Sequence, residues 1–209
     1  ACGSRVETKK LAGTWTCTID VTDRMNAAAE QALGLSAADG AAQMPLQLVL
    51  TVAEDGAYTL RYDSDAVRTA LDAYAAALRP TAVESVYAAA EEQGLSREEY
   101  DAAMEKAGIT MDDMVAAIFA GVDEEELLSL LTGRSAALTG YCRAEGGQLY
   151  LADTAADLAE TADCLSYTLS DGIMTWTDAQ GELSSQLTEE EQELLRVPLT
   201  WTKQAEESK

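Results

Sequence analysis

The hydrophobic period of this chain changes twice, from two to about 3.6 and back, and that change limits the folds open to it. Residues 11–21 set Trp15, Cys17, Ile19 and Val21 on one side and Thr14, Thr16, Thr18 and Asp20 on the other. This is the pattern of a strand buried on one face. Leu46, Leu48, Leu50 and Val52 repeat it, and Glu54-Asp55-Gly56 turns the chain into Tyr58, Leu60 and Tyr62. Asp-Gly between two alternating runs marks a hairpin, because both residues tolerate the backbone that a tight turn demands. Between the first two strands, Thr22 or Asp23 caps a predicted short helix that runs to about Leu33 and stops at Gly34.

From residue 64 to about Leu131 the spacing is helical. Thr81 with Glu84, Ser96 with Glu99 and Thr110 with Asp113 each place a hydroxyl three residues before a carboxylate, the spacing of a capping box. Pro80, Gly94, Gly108 and Gly121 read as stops or breaks. Val67, Leu71, Tyr74 and Leu78 form one apolar face, and Val83, Val86, Tyr87 and Ala90 the next. After Leu138 the alternation returns through Cys142, Leu149 and Leu151, then Leu165, Tyr167 and Leu169. Ser170-Asp171-Gly172 turns the chain into 173–177, and Val197, Leu199 and Trp201 close the series after a capped turn at Thr188 and Glu191. Roughly eight short strands result, a number that suits closure of an antiparallel sheet. The expected fold is α+β: an antiparallel barrel over 11–63 and 138–203, with an all-helical insertion at 64–137 between the third and fourth strands. Residues 1–10 are expected to be a tether and 204–209 a polar tail.

The formal net charge of −23, from 37 acidic and 14 basic residues, repels polyanions and argues against nucleic acid as a partner. The chain has no histidine, so it lacks Ser-His-Asp and Cys-His constellations and histidine-based metal sites. No Gly-x-x-x-x-Gly-Lys loop or Gly-x-Gly-x-x-Gly fingerprint supports nucleotide chemistry, and no cofactor or metal is expected. A carboxylate pair acting on an extracellular glycan is the enzymatic alternative, but so many acids make some pair inevitable, and a noncatalytic protein is the expectation.

The chain opens Ala1-Cys2-Gly3-Ser4: a small residue, a cysteine and a small polar run, as a lipoprotein reads across its cleavage point. Cys2 is therefore the expected lipidation site, on the extracellular face of a bacterial cell membrane, with the lipid as the only membrane contact. Of the remaining Cys17, Cys142 and Cys164, an oxidising exterior favours one disulfide and one buried thiol. Cys142 with Cys164 is the expected pair, since both lie near the ends of neighbouring strand segments.

Gly13-Thr14-Trp15 on a first strand, Ile19-Asp20-Val21-Thr22-Asp23 entering a helix, the Glu54-Asp55-Gly56-Ala57-Tyr58 hairpin, a helical middle and paired closing strands follow one another in order. In that order the chain resembles lipocalin-like lipoproteins of unknown function from gut-dwelling Gram-positive bacteria. It differs from lipocalins proper in its helical insertion and in lacking their later motifs. The resemblance implies the barrel, and the expectation for it is a noncatalytic module that binds an apolar small molecule or meets a surface protein partner, as a monomer. The insertion would then cap one barrel mouth or present a surface. Trp15, Tyr58, Tyr62, Trp176 and Trp201 all alternate onto the apolar side of their strands and are the candidates to line such a pocket. As plain core they need no ligand at all, and core is the first expectation for them.

Overall fold

A computed structural model of the protein describes residues 2–37, 42–180 and 187–205, with side chains for 7–37, 42–178 and 187–205. Eight strands form one closed barrel in sequence order: β1 (Gly13–Asp20), β2 (Pro45–Val52), β3 (Ala57–Tyr62), β4 (Leu138–Glu145), β5 (Gln148–Ala152), β6 (Cys164–Ser170), β7 (Ile173–Gln180) and β8 (Leu199–Lys203). The last strand pairs antiparallel with the first, setting Trp15 opposite Lys203 and Thr16 opposite Thr202. The helices are α1 (Cys2–Leu11), α2 (Thr22–Leu33), α3 (Ser64–Glu92), α4 (Arg97–Ala107), α5 (Met111–Phe119), α6 (Glu124–Thr132) and α7 (Glu189–Leu194). The expected barrel with a helical insertion between its third and fourth strands is thus the observed architecture.

The chain packs as two compact units. The barrel unit comprises Ala1–Ile19, Leu46–Ala66 and Thr132–Lys209, and the helical unit Asp20–Pro45 and Val67–Leu131. Alternation along the strands becomes burial in the barrel: Leu46, Leu48, Leu50 and Val52 on β2 are all buried, as are Leu199 and Trp201 on β8, where Thr200 between them is exposed. The bends at 53–56, 146–147 and 171–172 gather at one end of the barrel, and the longer connections at the other, because successive strands run in opposite directions. At the tight end sits α1. Thr8 Oγ1 accepts a 3.0 Å hydrogen bond from the Ala144 amide, which lies beyond the start of β3 in the ladder, and Leu11 is buried. The segment expected to be a lipid-attachment tether is helical, with Thr8 bonded to the barrel and Leu11 buried directly after it. Ala1, the side chain of Cys2 and the 206–209 part of the polar tail lie outside the described residues, whereas Gln204 still bonds through its amide to Thr14 O of β1.

In the helical unit α2 belongs with the insertion: the Tyr74 hydroxyl donates to Asn26 Oδ1 at 2.7 Å, and Arg24 donates to the Leu131 carbonyl at 3.2 Å. Helix α3 departs from expectation by running through Pro80 without a stop. Proline removes one hydrogen bond and costs about 3 kcal/mol in a helix interior. Here Ala76, the residue whose carbonyl is orphaned, and Pro80 itself are exposed, which leaves that carbonyl on the solvent side of the helix. The stripe of Val67, Ala70, Tyr74, Leu78, Ala82, Val86 and Ala90 continues across the site and is buried throughout. Thr81 and Glu84 consequently form no cap, and Glu84 instead pairs with Arg97 at 2.7 Å.

The caps at Ser96 with Glu99 and at Thr110 with Asp113 are both complete capping boxes. Gly108 takes the left-handed conformation (φ 70°) that ends α4, and the next amide, of Ile109, returns to the Met104 carbonyl. The chain can then start α5 two residues later.

Gly140 on β4 faces Tyr58 on β3, and a Cβ there would lie 2.6 Å from the Ala152 carbonyl oxygen and 2.8 Å from the Tyr58 hydroxyl. The missing side chain is what lets the Tyr58 ring lie across the neighbouring strand. Gly140→Ala should therefore lower stability by about 1–3 kcal/mol. Chemical denaturation followed by tryptophan fluorescence would measure the loss, and an unchanged midpoint would show that β4 has slack there.

Candidate functional site: a cavity inside the barrel

Eight strands enclose an interior that side chains can just fill or that can hold one small ligand, and here the two halves of the interior are used differently. On the β8 and β1 side it is solid. Trp15 and Trp201 are completely buried; Trp15 donates its indole N–H to the Leu11 carbonyl at 2.8 Å, and the Trp201 ring packs 4.9 Å from that of Trp176. The Lys203 ammonium lies over the Trp15 ring at 5.4 Å, which fills the end of β8 with a cation–π contact.

From β2 round to β7 the inward residues leave a cavity of about 600 Å³, within the range of small-molecule sites. Its walls come from successive strands: Leu50 and Val52, then Tyr58 and Leu60, then Cys142, with Leu149 and Leu151 beyond it. Leu165, Met174 and Trp176 complete the circuit, and Leu11 of α1 contributes from the tight end. Leu and Val fill less of the interior than indole rings do, and at this strand depth those on β2 to β6 leave space between them.

At the other end the rim is polar. Asp153, Asp157, Thr161 and Asp163 come from the connection between β5 and β6, and Gln192 and Arg196 from the segment around α7. Local turns hold the acidic connection in place. Asp157 opens a single turn of 3₁₀ helix (Asp157–Ala159), its carboxylate accepting from the Thr154 hydroxyl at 2.7 Å, and the Asp163 amide donates to Thr161 Oγ1.

Helix α7 brings Leu187, Leu195 and Val197 to the mouth, and a buried polar knot holds it. Thr188 and Glu191 form a capping box. Glu191, almost fully buried, also accepts a 2.9 Å hydrogen bond from Arg134 Nε, and the Thr188 hydroxyl donates to the Thr132 carbonyl. The buried capping carboxylate is thus paired with a guanidinium and an amide, which offsets part of its desolvation penalty.

The structure divides the five candidate aromatics. Tyr58 and Trp176 line the cavity. Trp15, Trp201 and Tyr62 do not, because Trp15 and Trp201 are the packed core described above and Tyr62 turns to a hydrogen bond with the Thr132 side chain. Burial raises the Tyr58 hydroxyl to about 12, with Cys142 and Asp153 adding to the rise, and burial likewise raises Tyr62 to about 12. Both stay protonated at any physiological pH. Alternation alone could not separate the five, since it reports which face a residue takes and not how deep its neighbours reach. The rim aspartates and Arg196 went unread in the sequence, being ordinary loop residues among many acids.

The expected disulfide is absent: Cys17, Cys142 and Cys164 are all free and buried. Cys142 lies opposite Leu151 and Cys164 opposite Tyr150. Leu151 and Tyr150 are neighbours on β5 and point to opposite faces, so the two thiols do as well. With a strand between them their backbones are roughly 10 Å apart, beyond the ~7 Å that a disulfide spans. Burial, and then the nearby Asp55, raises the Cys142 thiol to about 12, and burial raises Cys17 to about 11. Neither is a nucleophile near neutral pH. Among the described residues no group of three His, Cys, Asp or Glu is placed to hold a metal.

No family model, curated protein or solved structure matches this chain.

Alkylation of native protein without reductant should leave Cys17, Cys142 and Cys164 largely unmodified, and alkylation in denaturant should label all three, read by peptide mass spectrometry. A crosslinked peptide containing Cys142 and Cys164 would overturn the free-thiol assignment.

Proposed function

We propose that this chain is a noncatalytic binding protein that takes an apolar small molecule into its barrel. The cavity carries this reading: about 600 Å³, walled mainly by Leu, Val, Met and aromatic side chains, with its charged side chains, among the described residues, confined to one rim. Water held against such walls finds few hydrogen-bond partners, so an apolar ligand that displaces it gains burial of its own surface, worth about 25 cal/mol per Å² before the costs of association. The acidic composition and the Ala1-Cys2-Gly3-Ser4 start support display of the barrel on a lipid at the cell surface. In this reading the anchor is a lipid on Cys2; no helix among the described residues is long and apolar enough to cross a membrane.

Nothing in the shifted carboxylates calls for catalysis. Glu84 is held low by Arg97, and Glu99 and Asp113 by the amide and hydroxyl groups of the residues they cap. All three are exposed groups of the helical unit doing structural work. Leu95, Ile109 and Val122, the exposed apolar residues that follow Gly94, Gly108 and Gly121, likewise have a local cause, since each returns its amide to the helix it leaves. They give a protein-partner reading no separate support.

Trp176 lines the cavity, so an apolar ligand should quench tryptophan fluorescence saturably. Leu151→Trp, which fills the cavity from β5, should abolish that response, with Leu60→Trp as the replacement if the first variant does not fold. Undiminished binding in a folded, filled variant would place the ligand elsewhere. Mass spectrometry of the natural protein's N-terminal peptide should show a lipid on Cys2, and an unmodified Cys2 would remove the anchor from this proposal.

A further inference from the structure

The chemical class of the ligand follows from the contrast between the cavity's walls and its rim, an inference that rests on the binding reading above. Among the described residues the walls hold no charged side chain, and the rim has three carboxylates, Asp153, Asp157 and Asp163, against one guanidinium, Arg196. That cation is itself within 4.0 Å of the Glu193 carboxylate on the same turn. The rim carboxylates are placed by their own backbone: Asp153 directly follows β5, Asp157 starts the 3₁₀ turn and Asp163 directly precedes β6. All three therefore hang on two adjacent barrel strands at the same end. They meet the apolar walls where Ala152 and Leu165 give way to the connection.

We propose that the ligand is a cationic amphiphile, an apolar body held between Leu50, Leu151, Leu165 and Trp176 with a positively charged head among Asp153, Asp157 and Asp163. An anionic amphiphile of the same body would bring its head to a net negative rim and lose affinity. A neutral one would gain the apolar burial alone. Charge at the rim acts beside a low-dielectric interior, where screening by solvent is weaker than on an open surface.

The test compares three ligands with the same twelve-carbon chain, dodecyltrimethylammonium, dodecanol and dodecanoate, each below its aggregation limit, by fluorescence titration and calorimetry on the full chain. The cation should bind roughly tenfold or more tightly than the alcohol, the anion more weakly than the alcohol, and the spread should narrow as salt is raised. In Asp153→Asn with Asp163→Asn, the ratio of cation to alcohol affinity should fall towards one, Asp157 being kept because it holds the turn. Dodecyltrimethylammonium should lose its binding in Leu151→Trp, or in Leu60→Trp if the first does not fold. Retained binding there would put the cation on the acidic outer surface and overturn the proposal. Equal or tighter binding of dodecanoate, or a cation preference that survives the double substitution, would also overturn it, while leaving the cavity as a site for apolar ligands. Failure of all three ligands to bind would instead remove the binding reading itself.

Discussion

Closing eight strands into a ring creates an interior whose contents come mainly from one side of each strand, and most of this molecule's character depends on how that interior is filled. Trp15 and Trp201 take the β1 and β8 side completely. Their packing sits beside the β1–β8 seam, the last pairing to be made in sequence order and the one that joins the two ends of the chain. Leucines and valines on β2 to β6 make smaller contributions, and space is left between them. A fully packed barrel would be more stable, since unfilled volume forfeits dispersion contacts. The asymmetry therefore has a cost, and a ligand that filled the space would recover part of it through mass action on the folded state.

The two ends of the barrel differ for a reason that lies in the connections. Short bends join the strands at one end, and α1 docks there through Thr8 and Leu11, so that end is covered by the chain's own packing. At the other end the connections are long, and they carry the polar groups a solvent-facing rim requires. Of these, α7 is the most firmly held: Glu191 serves as cap, as acceptor for Arg134 and as a buried residue at once. A buried carboxylate with a single role would be a liability. One with all its oxygens engaged fixes a six-residue helix that is too short to be stable alone.

Much of this was legible in the letters, and what was not had particular physical causes. Period-two runs and Asp-Gly turns located the strands, because a half-buried sheet has to alternate. Ser96 with Glu99, Thr110 with Asp113 and Thr188 with Glu191 located helix starts, because a capping box is a local contact. Pro80 misled because its cost is local and fixed, whereas the buried stripe that overrides it is tertiary. The Cys142 and Cys164 pairing failed because nearness in strand order says nothing about which face each thiol takes. The cavity itself could not be read from residue types, since the same Leu and Val side chains fill one barrel and leave room in another, depending on strand depth and on where two tryptophans happen to stand.

Charge enters at two scales, and the distinction bears on what the acidity of this chain is for. A net charge of −23 surrounds the whole molecule with a negative potential, which raises the local concentration of any cation and is screened within about a Debye length, roughly 8 Å in physiological salt. Such a field draws cations without orienting them. In the proposed site the three aspartates at the rim would act over a few ångströms, next to apolar walls, and so discriminate between the two ends of a single molecule. The surrounding field contributes to the rate of encounter and the rim to the pose. An acidic surface alone would bind cationic amphiphiles weakly and at many places; an apolar cavity alone would accept any head group. Only their meeting at the end of β5 and the start of β6 makes a site with a direction.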